Sequence, residues 1–311
     1  MVRHLEETDM TGQKIAPFFW HDGTAEEAAR FHTELFGGTI TAISHYPDAG
    51  CDVHGQPAGQ VMVASYEILG YQLHGINAGP IFRPTPALSL VVQIEDRSEV
   101  ERIWAGLSDG GSVMMPLDRY DWSGRYGWCN DRFGISWQIT LPLGAETPRP
   151  VTPMMMFTGK VAGRAKEALN FYAQAFPGST VEFTNDYPEG SNEPAGSINH
   201  GRSRIAGTGL MAMDSAMDHK FGFDEGGSLT IACDDQGEIN YYWDKLVEGG
   251  GEHGPCGWLK DRFGFSWQVV STEVIELLSS QDQDAAARAM QAMMAMGKID
   301  IKTARDAAKG E

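Results

Sequence analysis

The string Gly127-Trp128-Cys129-Asn130-Asp131-Arg132-Phe133-Gly134-Ile135-Ser136-Trp137-Gln138 returns as Gly257-Trp258-Leu259-Lys260-Asp261-Arg262-Phe263-Gly264-Phe265-Ser266-Trp267-Gln268. A near-identical segment this long restricts the chain to a duplicated architecture. Ala25-Glu26-Glu27-Ala28-Ala29-Arg30-Phe31 is matched by Ala165-Lys166-Glu167-Ala168-Leu169-Asn170-Phe171 at a wider offset, so loops differ between the copies while elements persist. A length of 311 residues accommodates two domains.

Periodicity orders each copy. A strand from Ile15 to Trp20 precedes a helix opening at Thr24 as N-cap, with Glu27 completing a capping box and an apolar stripe at Ala28, Phe31, Leu35 and Phe36. Thr39 to His45, Gly59 to Ile68 and Tyr71 to Ile76 are β-rich and divided by Pro and Gly, which gives a βαβββ unit. The order restarts with a strand at Ala87 to Ile94, a helix from about Ser98 to Leu107, and strands near Val113, Tyr126 and Ile135 to Ile139. The second copy runs from Val151 to Phe157 through helices at Ala165 to Phe176 and Glu238 to Leu246 to a last strand at Phe265 to Val270. The expected fold is α+β, with tandem domains over 15–141 and 151–272. Each contains two βαβββ modules forming a cupped mixed sheet with helices outside. A Pro-rich linker over 142–150 joins them, and a helical tail follows over 273–311.

Side chains alternate across a strand, so Leu88, Leu90, Val92 and Ile94 form an aliphatic face suited to helices. Ala87, Ser89, Val91 and Gln93 form a small, mixed face suited to lining a hollow. The same split sets Leu229 and Ile231 against Ser228 and Thr230, and Trp137 and Ile139 against Ser136 and Gln138.

The net charge of −18, with no clustered Lys/Arg stripe, disfavours nucleic acid and anionic membrane surfaces as partners. No apolar run approaches the ~20 residues of a membrane span, and Met1 to Gln13 is polar and acidic, so a cytoplasmic location is expected. Cys51, Cys129, Cys233 and Cys256 form no CxxC pair, which fits free thiols better than zinc knuckles or disulfides.

The repeated Asp-Arg-Phe-Gly-x-Ser-Trp-Gln string and the opening Ile15-Ala16-Pro17-Phe18-Phe19-Trp20-His21-Asp22-Gly23 resemble the PhnB-like branch of the vicinal oxygen chelate superfamily over about residues 15 to 305. That superfamily includes glyoxalase I, bleomycin-resistance proteins and extradiol dioxygenases. Members of the branch often carry the label 3-demethylubiquinone-9 3-methyltransferase. The resemblance implies paired modules around a cup, and in catalytic relatives a divalent metal held from the first, fourth, fifth and eighth strands. It places those positions near Pro17 and Pro153, Asn77 and Asp214, Ser89 and Ser228, and Gln138 and Gln268. Proline, serine and amides hold a divalent ion poorly, so no metal is expected. No strand followed by GxGxxG opens a helix, and Gly249-Gly250-Gly251 follows one, so no nucleotide cofactor is expected and the methyltransferase label is taken as nomenclature.

The candidate ligand-binding residues are Asn77, Ser89, Trp128 and Gln138 in the first copy and Asp214, Ser228, Trp258 and Gln268 in the second. The amides and hydroxyls offer neutral polar groups, and the indoles offer flat apolar faces with one donor each. Their competing role is packing, or hydrogen bonding to one another or to water. His21, His32, His45, His54 and His74 lack ligand spacing; His74 alone falls on a strand expected to line the cup. Cys256 reads as a small buried residue rather than a reactive thiol. In the tail, Met290, Met293, Met294 and Gly297 share a helical face expected to dock on the barrel or on another subunit. Single-domain relatives pair as dimers, so the resemblance implies a pseudo-dimer within one chain, with a homodimer through the Met-rich tail as a further option.

The function these residues favour is binding of a small apolar or aromatic molecule without a tightly bound catalytic metal. Two other readings stay open. One is an enzyme of the superfamily, either metal-dependent with unconventional ligands or a 3-demethylubiquinone-9 3-methyltransferase-like transferase. The other is a structural protein whose cups are filled by their own side chains.

Overall fold

The computed structural model describes residues 13–47, 55–142, 150–280 and 282–311. Cys51, His54, most of the N-terminal stretch and most of the expected linker lie outside the described residues. Four βαβββ modules follow in order. The first is β1 (Ile15–His21), α1 (Ala25–Phe36), β2 (Gly38–His45), β3 (Val61–Ile68) and β4 (Tyr71–Asn77). The second is β5 (Leu88–Gln93), α2 (Arg97–Ser108), β6 (Ser112–Tyr120), β7 (Ser123–Asn130) and β8 (Ser136–Leu141). The third is β9 (Val151–Phe157), α3 (Ala165–Ala175), β10 (Thr180–Asp186), β11 (Ile198–Ile205) and β12 (Thr208–Asp214). The fourth is β13 (Gly227–Cys233), α4 (Gln236–Leu246), β14 (Glu252–His253), β15 (Trp258–Lys260) and β16 (Ser266–Ser271). The tail forms α5 (Thr272–Leu278), α6 (Gln283–Met294) and α7 (Ile301–Lys309).

The modules pair across the two halves of the chain. One eight-stranded sheet runs β14-β15-β16-β13-β1-β4-β3-β2 and the other β10-β11-β12-β9-β5-β8-β7-β6. Each sheet therefore holds two modules, as the repeats suggest, but takes one from each half instead of both from the same half. We call the first the A sheet and the second the B sheet. They are sewn by antiparallel β1–β13, with Phe18 opposite Ser228, and antiparallel β5–β9, with Ser89 opposite Met154. The physical reason lies on the helix side, where modules of one half meet each other. His32 of α1 reaches Asp131, and Phe36 stacks on Trp137 with centroids 5.0 Å apart. Tyr172 of α3 likewise reaches Asp261, and Phe176 packs on Trp267. That contact leaves the β1 and β5 edges to pair with the other half.

The repeated string is a buried turn. Asp261 accepts from the backbone N of Phe263 and Phe265 through Oδ1, and from Trp267 Nε1 and the Tyr172 hydroxyl through Oδ2. Asp131 does the same for Phe133, Ile135 and Trp137, with His32 where Tyr172 stands in the other copy. Gly134 and Gly264 follow at φ +89° and +79°, a conformation that side-chain-bearing residues resist. Four acceptor positions on one buried carboxylate fix the loop that places Ser136, Gln138, Ser266 and Gln268 on their strands.

Helix starts depart from one expectation. The Thr24 side chain does not cap α1; Asn77 Oδ1, at the end of β4, accepts from Ala25 N at 2.9 Å instead. Asp214, at the end of β12, accepts from Gly163, Ala165 and Ile198 backbone N–H groups and so holds the entry to α3. A cap delivered from a distant strand ties each helix to its sheet, which a local Thr cannot do.

The tail spans the A sheet. Met290 packs with Tyr46 and Met62 beside β2 and β3, whereas Cys256 N and Gly257 N, beside β15, donate to Met296 O and Gly297 O. In a flat sheet β3 and β15 would stand ~24 Å apart at ~4.8 Å per strand. The short run from Met290 to Met296, ~9 Å long if helical, bridges the two rims only because the sheet curls. The Met face expected to dock does so on this chain.

Candidate functional site: two inner faces of unequal character

Alternation decides which residues face the hollows. On β1, Ile15 and Phe19 join the core under the helices, so Ala16, Phe18 and Trp20 face inward. On β4, Leu73 joins that core and Asn77 turns to α1, so His74 and Ile76 face inward with Phe18 and Trp20 as their partners. The ligand positions placed at Pro17 and Asn77 thus shift to Phe18 and His74, and those at Pro153 and Asp214 shift to Met154 and Met211. The reason is that a helix-capping residue at a strand end fixes the phase of the whole strand. Ser89, Ser228, Gln138 and Gln268 lie on the inner faces as read from the sequence.

The B-sheet hollow is occupied by its own side chains. Met154 pairs with Met211 and Met156 with Met213 on adjacent parallel strands, and Val91, Met115, Tyr126, Trp128 and Phe221 pack with them. Its polar groups close on one another. Tyr126 donates to Gln138 Oε1 at 2.8 Å, Gln138 Nε2 donates to Ser89 Oγ at 2.8 Å, and Trp128 Nε1 donates to Ser136 Oγ at 2.8 Å.

The A-sheet hollow carries the same strands with the circuit open. Ser228 Oγ donates to Phe18 O, so it accepts from Gln268 Nε2 at 3.0 Å. Cys256 aligns with Tyr126 of the other copy but lies in the turn before β15, and Gln268 Oε1 meets no partner among the described residues. Ser266 is 1% exposed, and its Oγ has no hydrogen-bond partner among the described residues. Trp258, the twin of Trp128, leaves that serine and instead approaches Phe18 and Trp20 edge-on, with centroids 6.3 and 6.4 Å away. Trp20 is held by Nε1 donating to Gly79 O at 2.7 Å and by Phe82.

His74 lies 2.8 Å from Ser65 Oγ through Nδ1, and burial pushes its pKa down to about 4, so the imidazole is neutral at physiological pH. Burial raises the Cys256 thiol, which argues against an activated nucleophile. Burial also raises the Asp214 carboxyl, against the pull of its backbone donors; those donors occupy both its oxygens. The candidate residues thus separate: Ser228, Trp258 and Gln268 gather in the A sheet, Ser89, Trp128 and Gln138 in the B sheet, and Asn77 and Asp214 turn towards helix starts. Sequence reasoning missed Ser266 as a candidate, although its alternation with Gln268 put both on one face.

A family model described as 3-demethylubiquinone-9 3-methyltransferase matches residues 13–140 and 149–270. The chain belongs to this family. Among solved structures, the PhnB protein of Bacillus cereus, described as a 3-demethylubiquinone-9 3-methyltransferase, is 36% identical over 41% of this chain and 98% of its own, with a TM-score of 0.38. Two glyoxalase I mutants from Zea mays are 13% and 14% identical over 83% of this chain and 94% and 93% of theirs, with TM-scores of 0.50 and 0.51. They share the fold of this 3-demethylubiquinone-9 3-methyltransferase family member, a glyoxalase-type fold. No curated protein matches significantly.

Neither group implied by these relatives fits the residues present. Phe18, His74, Ser228 and Gln268 stand at the A-sheet positions, and Met154, Met211, Ser89 and Gln138 at those of the B sheet, so one imidazole is the sole nitrogen ligand of the ordinary kind. Among the described residues no group of three or more His, Cys, Asp or Glu side chains is placed to hold a metal ion. For a nucleoside-bearing methyl donor, no strand-to-helix turn among the described residues has the GxGxxG spacing; the β9–α3 turn carries Gly159 and Gly163 alone, and the amides of Gly163 and Ala165 are already taken by Asp214. α2 and α4 begin on Asp96 and Asp235, whose carboxylates take the amides of Glu99 and Glu238.

Proposed function

We propose that this member of the family binds a small molecule in the A-sheet hollow, with the B-sheet hollow serving as a packed core. The supporting observation is the contrast between twins: Trp128, Ser136, Gln138 and Tyr126 satisfy one another, whereas Ser266 Oγ, Gln268 Oε1 and Trp258 Nε1 lack protein partners among the described residues. Of these atoms Ser266 Oγ is the buried one, and a buried polar atom without a partner costs about 1–3 kcal/mol, a cost that a bound molecule can offset. Phe18, Trp20 and Trp258 supply flat apolar surface around those groups, the usual composition of a ligand pocket. A cytoplasmic setting suits free thiols at Cys129, Cys233 and Cys256; among the described residues no helix is long and apolar enough to cross a membrane.

The test is titration of the full chain with N-phenyl-1-naphthylamine, an uncharged aromatic amine that fluoresces when buried. Saturable one-to-one binding that weakens in Trp258→Ala and persists in Trp128→Phe is expected. Unsaturable binding, or equal loss in both variants, refutes the assignment to this hollow.

A further inference from the structure

Three groups on the A-sheet inner face have hydrogen-bonding capacity that no protein partner uses among the described residues. Gln268 Oε1 accepts there, and its Nε2 spends one of its two N–H groups on Ser228 Oγ, whose proton is committed to Phe18 O. Trp258 Nε1 can only donate. Ser266 Oγ does either, is buried, and is unmatched. Gln268 and Ser266 are two residues apart on one strand face, and Trp258 stands directly opposite Gln268 across β15–β16. One edge of one ligand can therefore meet an acceptor and one or two donors together.

Charge narrows the ligand further. Lys260 stands opposite Ser266 and is ion-paired with Glu225 at 3.0 Å. His74 and its neighbour Ser65 are uncharged partners of each other. An anionic ligand finds the Lys260 ammonium already paired, and of the carboxylates near that lysine Glu225 is paired with it and Asp224 accepts from Gly226 N. A desolvated charge without a partner is costly, so charged analogues are selected against.

The structure points to a ligand class that rests on the pocket reading above. We infer that the A-sheet hollow takes an uncharged, flat aromatic molecule bearing an amide or lactam edge. Its N–H meets Gln268 Oε1, its carbonyl meets Trp258 Nε1 or Ser266 Oγ, and its ring lies among Phe18, Trp20 and Trp258. Trp258 completes the site by leaving the serine that its twin Trp128 holds.

The experiment is calorimetric titration of the full chain with four probes of one size: benzamide, benzoate, benzylammonium and toluene. Benzamide is expected to bind at one site at least tenfold more tightly than either ion and more tightly than toluene. Ser266→Ala is expected to weaken benzamide about five- to tenfold, the equivalent of one neutral hydrogen bond, and to leave toluene unchanged. Ser136→Ala, its B-sheet twin, is expected to leave benzamide binding unchanged, which separates a ligand contact from a general loss of packing. Toluene binding as tightly as benzamide keeps the pocket and overturns the ligand class, as does benzoate binding as tightly. Binding by none of the four overturns both.

Discussion

Replacing Asp261 by Asn tests whether the repeated string is a structural turn. In the native protein Oδ1 accepts from Phe263 N at 2.8 Å and Phe265 N at 3.1 Å, and Oδ2 accepts from Trp267 Nε1 at 2.9 Å and the Tyr172 hydroxyl at 2.6 Å. Asn keeps the first pair and puts an amide N–H₂ in place of Oδ2. The Tyr172 hydroxyl can rotate to accept from that group, but the Trp267 indole can only donate, so two donors face each other in a buried site. Losing a charge-assisted bond and stranding one donor costs about 3–5 kcal/mol. Against this, burial already raises the Asp261 pKa, and removing a desolvated charge returns part of the loss. The expected net destabilisation is about 2–3 kcal/mol, a Tm lowered by about 3–5 °C in calorimetric or circular-dichroism melting. Trp267→Phe in the same background removes the stranded donor, so the double variant should recover about 1–2 kcal/mol relative to the sum of the singles. A Tm within 2 °C of the native value, or a cycle additive to within ~0.5 kcal/mol, would refute the reasoning.

Other expectations follow from the same geometry. Both sheets draw strands from both halves, so the chain should melt in one calorimetric transition; two separated transitions would contradict the interleaved pairing. Burial depresses His74 and His21 to about 4 from 6.5, so the unfolded chain binds more protons between these values. Their contribution to stability is present above about 6.5 and is lost as pH falls towards about 4, and His74→Gln should flatten that slope in denaturant titrations. Gly226→Ala should lower stability by more than ~1 kcal/mol, because a Cβ there would lie 1.9 Å from Arg83 O, a backbone atom that cannot swing away; melting checks it.

Much of the architecture was open to reading because it is written twice. Alternation on β5, β8 and β13 separated Leu88, Trp137 and Leu229 from Ser89, Gln138 and Ser228 correctly, since period two survives any tertiary arrangement. Pairing across halves was not legible. The twin modules present near-equivalent edges, and only the contacts of His32 with Asp131 and Tyr172 with Asp261, made through space, decide which edge is free. Asn77 and Asp214 were misplaced because their partners, the amides of Ala25, Gly163 and Ala165, come from other elements, so nothing local marks them as caps. The open state of Ser266 was equally hidden, since Ser136 sits in the same string and differs only in where its tryptophan turns.

The stitching of β1 to β13 and of β5 to β9 carries a lesson about divergence after gene duplication. Had each copy closed on itself, one could have drifted while its sibling kept an ancestral role. Here Phe18 and Gln268 come from opposite ends of the polypeptide yet serve one hollow, and Met154 and Gln138 serve the other. Selection on either hollow therefore constrains both copies, and the natural unit of specialisation is the sheet.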